Sequence, residues 1–312
     1  MSDYTFNSIA IVKINPHRVR NILIIIFTVI FTVVFFSSLS GQKGLRVIHD
    51  PGSPEVYPFG RNTLASFSSV SFFSSDRKVL LKGWFFRAEN SRKALIFLHD
   101  HTRNRLIFGD ETDVVINKCI DAGYNVLLFD QRNSGNVDVS KATLGLNEAY
   151  DVEGAVLYAT ALDMKEIYIV AFGSGANAFM NAVKHESIKA AVLDSPYYKL
   201  SSALKFVYGE NDIGTVFFTK SFTRLFLRRF DSARTYRYDK DYFIGTPPTL
   251  ITRSGFSYMS TGEERRMYEV MDAYSEYPVI LAAIDSHTDA PGYIDMVFSF
   301  FDEYAKKQEV PE

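Results

Sequence analysis

A single cysteine, Cys119, leaves this chain without partners for an intramolecular disulfide framework or for a multi-cysteine metal site. Absence of disulfides does not fix a compartment, because a disulfide-free domain works on either side of a membrane. A dominant charge is missing too: 34 Lys and Arg oppose 36 Asp and Glu, and a formal net charge of −2 argues against nucleic acid or another polyanion as partner. No N-x-S/T sequon, internal repeat or low-complexity tract occurs. What is abundant is apolar and aromatic: 47% hydrophobic residues, 15% aromatic, 27 of them Phe, in 312 residues. That suffices for one large buried core of a single α/β domain with an appendage.

The appendage is N-terminal. Ile22 to Leu39 reads ILIIIFTVIFTVVFFSSL, with no charge between Arg20 and Lys43. A helix of that length spans about 30 Å of hydrocarbon, and it is apolar on every face, unlike the amphipathic helices of a soluble core. Lys13, Arg18 and Arg20 precede it, so the positive-inside rule predicts a single-pass membrane protein with a cytoplasmic tail over 1–21, an anchor over 22–40 and the rest extracytoplasmic. The competing reading is a signal peptide cleaved near Ser38-Leu39-Ser40; the long leader and the long apolar run favour an anchor or uncleaved signal. Residues 41–65 hold three of the ten prolines and four glycines and read as a linker.

From residue 66 to about 308, strand and helix signals alternate. Val70–Ser74 and Leu80–Arg87 form a strand pair around the Ser75–Lys78 turn. Further strands are predicted over Ala94–Leu98, Asn125–Phe129, Ile167–Phe172, Ala190–Leu193, Thr249–Thr252 and Pro278–Ala283, with helices over Thr112–Ala122, Leu146–Leu162 and Gly292–Lys306. Such alternation predicts a mostly parallel sheet covered by helices on both sides. Between about 197 and 246 apolar, aromatic and basic residues mix, as in TKSFTRLFLRRF, and this segment is expected to form a small helical cap over the carboxyl edge of the sheet.

The segment KEIYIVAFGSGANAFM, residues 165–180, has the layout of a nucleophile elbow, in which a buried strand runs through G-x-S-x-G straight into a helix. Around it stand LKGWFF (81–86), LIFLHDHTRNR (95–105), LLFDQRNSGN (127–136), TLGLNEAYDVEGAVLYA (143–159), AAVLDSPY (190–197), TPPTLITRSGFS (246–257) and DSHTDAP (285–291). In this order they resemble the α/β-hydrolase superfamily, in particular its serine-aminopeptidase-like branch of esterase- and peptidase-like proteins. The resemblance implies an α/β-hydrolase fold and a site made of a nucleophile, a histidine base, an orienting acid and two oxyanion donors.

Carried over position by position, those roles are only partly filled. His287 falls in the histidine loop. The nucleophile slot reads Gly173 when Ala171-Phe172-Gly173-Ser174-Gly175 is laid on the motif; a register shifted by one makes Ser174 the nucleophile but puts Phe172 where a small residue must pack. Ser257 occupies the acid slot, and Asp194 is a substitute carboxylate if it is more than a strand-end turn. In the oxyanion region His99 is in place, Asp100 replaces the glycine of H-G, and His101 and Ser174 supply the backbone donors. A carboxylate beside a forming oxyanion opposes the stabilisation such donors provide. A metal reading of His99, Asp100, His101 and His287 lacks any ligand-spacing motif, so neither metal nor cofactor is expected. Several roles are thus altered by substitutions that look independent. The expectation is a membrane-anchored pseudo-hydrolase or binding domain for a small acyl or peptidyl ligand, the alternative an active serine hydrolase using Ser174 with His287.

Overall fold

The computed structural model describes residues 15–50, 52, 55–57, 67–101, 103–137, 141–198, 245–253, 261–275, 279–283 and 289–304. Most of the expected cap lies outside the described residues, as do Ser257 and His287.

Helix α1 (Pro16–His49) begins with proline at its first turn, where the missing N–H is no loss, and with the Asn15 side chain accepting the His17 N–H. Within Pro16–Leu39 the most apolar 18 residues have a mean hydropathy of 2.8, and 6% of that window is buried against the rest of the protein. At about 1.5 Å per residue the helix is long and apolar enough to cross a bilayer. The helix does not stop at residue 40, where a linker is expected, but continues to His49. Gly41 and Gly44 each cost only about 1 kcal/mol in a helix interior; the true breaker is Pro51, which disfavours helical backbone at Asp50. The last turn docks on the domain: Ile48 is buried, the Ala142 N–H donates to the His49 carbonyl, and His49 Nδ1 lies 2.7 Å from the Ala142 carbonyl.

The domain is built on an eight-stranded sheet of β1 (Phe67–Phe73), β2 (Leu80–Phe86), β3 (Lys93–Leu98), β4 (Asn125–Asp130), β5 (Glu166–Phe172), β6 (Ile188–Asp194), β7 (Thr249–Arg253) and β8 (Val279–Ala283), ordered β1-β2-β4-β3-β5-β6-β7-β8. Among the described residues only the β1–β2 and β2–β4 pairs are antiparallel; every pairing from β4 through β3 to β8 is parallel. Strands buried on both faces need uninterrupted apolar runs, and NVLLFD and EIYIVAF supply them.

Helices α2 (Thr112–Asp121) and α6 (Ala290–Tyr304) cover one face through Val115, Ile116, Ile294, Val297 and Phe301. On the other face lie α3 (Glu148–Ala161), α4 (Ser174–Asn181) and α5 (Thr261–Tyr274), contributing Val152, Ala155, Ala176, Phe179, Met267 and Met271. The expected mostly parallel sheet flanked by helices is therefore present. α5 was not among the expected elements: TGEERRMYEVMDAY is polar except for a narrow stripe in which Met267 and Met271, four residues apart, reach the core.

Candidate functional site

Parallel pairing brings three strand ends to one place. Leu98 of β3 pairs with Ala171 of β5, and Phe172 pairs with Asp194 of β6, so His99-Asp100, Gly173-Ser174 and Asp194-Ser195 leave the carboxyl edge of the sheet side by side. Gly173 forms the turn between β5 and α4, with φ 48° and ψ −115°, a conformation L side chains adopt only under strain. Its N–H donates to the Asp194 carbonyl, and Ser174 is the first helical residue, 4% exposed. α4 follows this closely only because Gly175 has no side chain: a Cβ there would sit 2.6 Å from the His99 carbonyl oxygen and 2.8 Å from that of Leu98.

The Asp100 carboxylate occupies the centre of this arrangement. The backbone N–H groups of Ser174 and His101 both donate to its Oδ1 at 2.7 Å, and the Tyr197 hydroxyl lies 3.4 Å from the same oxygen. Two backbone donors converging at this distance are what an oxyanion hole offers a developing negative charge; here both are taken by a side-chain oxygen of the same chain. The carboxylate also lies over the open face of Gly173, where a Cβ would stand 2.1 Å from Oδ1 and 2.2 Å from Cγ. Burial pushes the Asp100 carboxyl above its ordinary range, against the pull of the Ser174 and His101 donors.

Neighbouring polar networks hold this loop. The Gln131 N–H donates to His99 Nε2 at 3.0 Å, so His99 carries its proton on Nδ1 and donates to the Asp100 carbonyl at 2.8 Å. Burial lowers the His99 pKa, which keeps the ring neutral in that tautomer. The Gln131 side chain returns a bond to the His99 carbonyl. Gln131 is itself fixed by its neighbours: Asp130 takes a two-pronged contact from Arg105, whose guanidinium stacks 4.8 Å from the Trp84 ring centroid, and Arg132 forks onto Asp151. Glu148 accepts from the Thr143 and Gly145 N–H groups, bracing the loop before α3.

Asp194 is 1% exposed and receives the Ser195 hydroxyl at 2.7 Å and the Thr252 hydroxyl at 3.1 Å. The buried Tyr293 phenol faces it, and burial together with that negative charge pushes the phenol well above the ordinary tyrosine value. His99, Asp100, His101, Gly173, Ser174 and Asp194 are thus gathered at one edge. Tyr197, Gln131 and Asn177, which exchanges two 2.7 Å bonds with the Tyr197 backbone, complete the site without having been singled out from the sequence. Among the described residues no group of three or more His, Cys, Asp or Glu side chains is placed to hold a metal ion.

By sequence the chain matches no protein-family model and no curated protein. By structure it is similar to an esterase of Pyrococcus furiosus, at 21% identity and a TM-score of 0.60, covering 81% of this chain and 100% of that one. An acylaminoacyl peptidase of Pyrococcus horikoshii aligns at 17% identity and TM-score 0.55 over 81% of this chain and 45% of that one. A proline iminopeptidase of Mycobacterium smegmatis aligns at 10% identity and TM-score 0.51 over 77% and 100%. With the strand order and the β5–α4 turn, these likenesses establish the α/β-hydrolase fold.

Proposed function

We propose that this protein is a membrane-anchored α/β-hydrolase-fold protein that binds a small ligand at the elbow and does not hydrolyse through a serine. The observation that carries this reading is the Asp100 carboxylate, held by the Ser174 and His101 N–H groups where an acyl oxyanion would be stabilised. A tetrahedral intermediate entering that place would meet a filled hole and a like charge. The turn offers no hydroxyl at Gly173, and the adjacent Ser174 gives its backbone N–H to Asp100. Serine hydrolysis through Ser174 and His287 is the reading this arrangement disfavours. Helix α1, with basic residues ahead of its apolar span, would tether the domain, with the tail cytoplasmic and the domain on the far side of the bilayer.

The test is fluorophosphonate labelling of the detergent-solubilised full chain beside its Ser174→Ala variant. The expected result is no serine-dependent adduct from a cooperatively folded protein. Labelling that Ser174→Ala abolishes would overturn the proposal. Protease protection of the domain in sealed vesicles tests the orientation.

A further inference from the structure

We propose that the Asp100 carboxylate recognises a ligand bearing a protonated primary amine, an alkylammonium-type head seated against that carboxylate at the elbow. The inference rests on the non-hydrolytic reading above and names the ligand class for that site. The first ground is charge balance. Asp130 and Asp151 each meet an arginine fork, whereas Asp100, among the described residues, has only neutral partners: the Ser174 and His101 N–H groups and the Tyr197 hydroxyl. A carboxylate drawn out of water without a counter-charge takes up a proton or is completed by a cation, and a protonated amine supplies both the charge and the N–H donors.

Direction is the second ground. The Ser174, His101 and Tyr197 bonds described above converge on Oδ1, so Oδ2 receives none of these three. As whole residues, Asp100 is intermediate in exposure while its neighbours His99 and Ser174 are buried. Position is the third. Asp100 sits at the carboxyl edge of parallel strands, where open α/β sheets bind ligands. A negative group in a former oxyanion hole inverts its selectivity: carboxylates and phosphonates are repelled, and N–H donors with positive charge are attracted.

The test uses the full chain in a neutral detergent with n-butylammonium, n-butyrate and n-butanol as probes, read by saturation-transfer NMR and calorimetry. Butylammonium is expected to bind the wild-type chain at least about tenfold more tightly than butyrate or butanol, and to lose about tenfold or more in Asp100→Asn, as for a charge-assisted hydrogen bond. Equal binding of butyrate, absence of butylammonium binding to the folded wild type, or unchanged binding in Asp100→Asn would each overturn the inference. The wild-type comparison decides the matter even where Asp100→Asn fails to fold. A Ser174-dependent fluorophosphonate adduct would sink the non-hydrolytic reading; an unlabelled protein that ignores butylammonium would sink only the ligand class.

Discussion

Adding one methyl group at the elbow tests whether Asp100 fills the place described for it. In Gly173→Ala the new Cβ would lie 2.1 Å from Asp100 Oδ1 and 2.2 Å from Cγ, far inside contact distance, so the carboxylate must leave or the turn must shift. Two penalties follow. The backbone at φ 48° and ψ −115° costs a non-glycine residue about 1–3 kcal/mol. Crowding of a packed site costs another ~1–3 kcal/mol, and expulsion of Asp100 also breaks its bonds to the Ser174 and His101 N–H groups. A total loss of about 2–6 kcal/mol is expected. In an Asp100→Ala background the carboxylate is gone and only the backbone penalty of about 1–3 kcal/mol remains. The double-mutant cycle, read by urea unfolding of the full chain in detergent, should therefore give a coupling of at least ~1 kcal/mol. Equal costs of Gly173→Ala in both backgrounds, within about 0.5 kcal/mol, would refute the reasoning.

Two further perturbations bear on the supports of the site. Arg105→Met removes one partner of a buried pair whose carboxylate is fully enclosed, and it should cost about 3–5 kcal/mol, read as a fall in unfolding midpoint; a loss under ~1 kcal/mol would show that Asp130 finds other partners. The pH dependence of stability should change in Asp100→Asn. Burial raises the folded Asp100 carboxyl above its usual 3.8, so the folded chain holds this proton to higher pH than the unfolded chain does. The contribution is complete below that usual value and is lost as pH rises through the raised one, so wild type should lose stability relative to Asp100→Asn from about pH 4 upward. A difference flat in pH would contradict that direction.

The sheet was legible because its strands are short apolar runs bounded by turn residues, and most predicted boundaries fall within two residues of the observed ones: Asn125–Phe129 against Asn125–Asp130, Gly292–Lys306 against Ala290–Tyr304. The end of α1 was misread because Gly41, Gly44 and nearby prolines resemble a linker in composition, whereas helices stop at the first residue that forbids their geometry. α5 was missed because a buried stripe of two methionines is too narrow to mark a period. In the site, the Gly173 slot and the donors at His101 and Ser174 could be named from motif spacing. The Asp100 side-chain position could not, since it depends on β3 lying beside β5 and on an atom missing from residue 173. Gln131 and Tyr197 stayed invisible for the same reason: their partners are 32 and 97 residues away in sequence.

That geometry changes how the departures from the hydrolase pattern are counted. By sequence, the glycine at 173 and the aspartate at 100 stand as two separate losses, one of a nucleophile and one of a clear oxyanion loop. In space they are one substitution shared between two strands. With any side chain at 173, the Asp100 carboxylate cannot rest where it does, because the Cβ and Oδ1 would stand 2.1 Å apart. With the carboxylate in place, a serine at 173 would lack both room and a hole for its intermediate, because the Ser174 and His101 N–H groups are already engaged. In Gly173→Ser the new side chain and the Asp100 carboxylate would therefore compete for one place, and a serine elbow here would need Asp100 cleared as well. The same coupling gives the glycine turn at φ 48° a structural role. It aims the Ser174 N–H, at the start of α4, at the Asp100 carboxylate, where a helix N-terminus favours an acceptor oxygen.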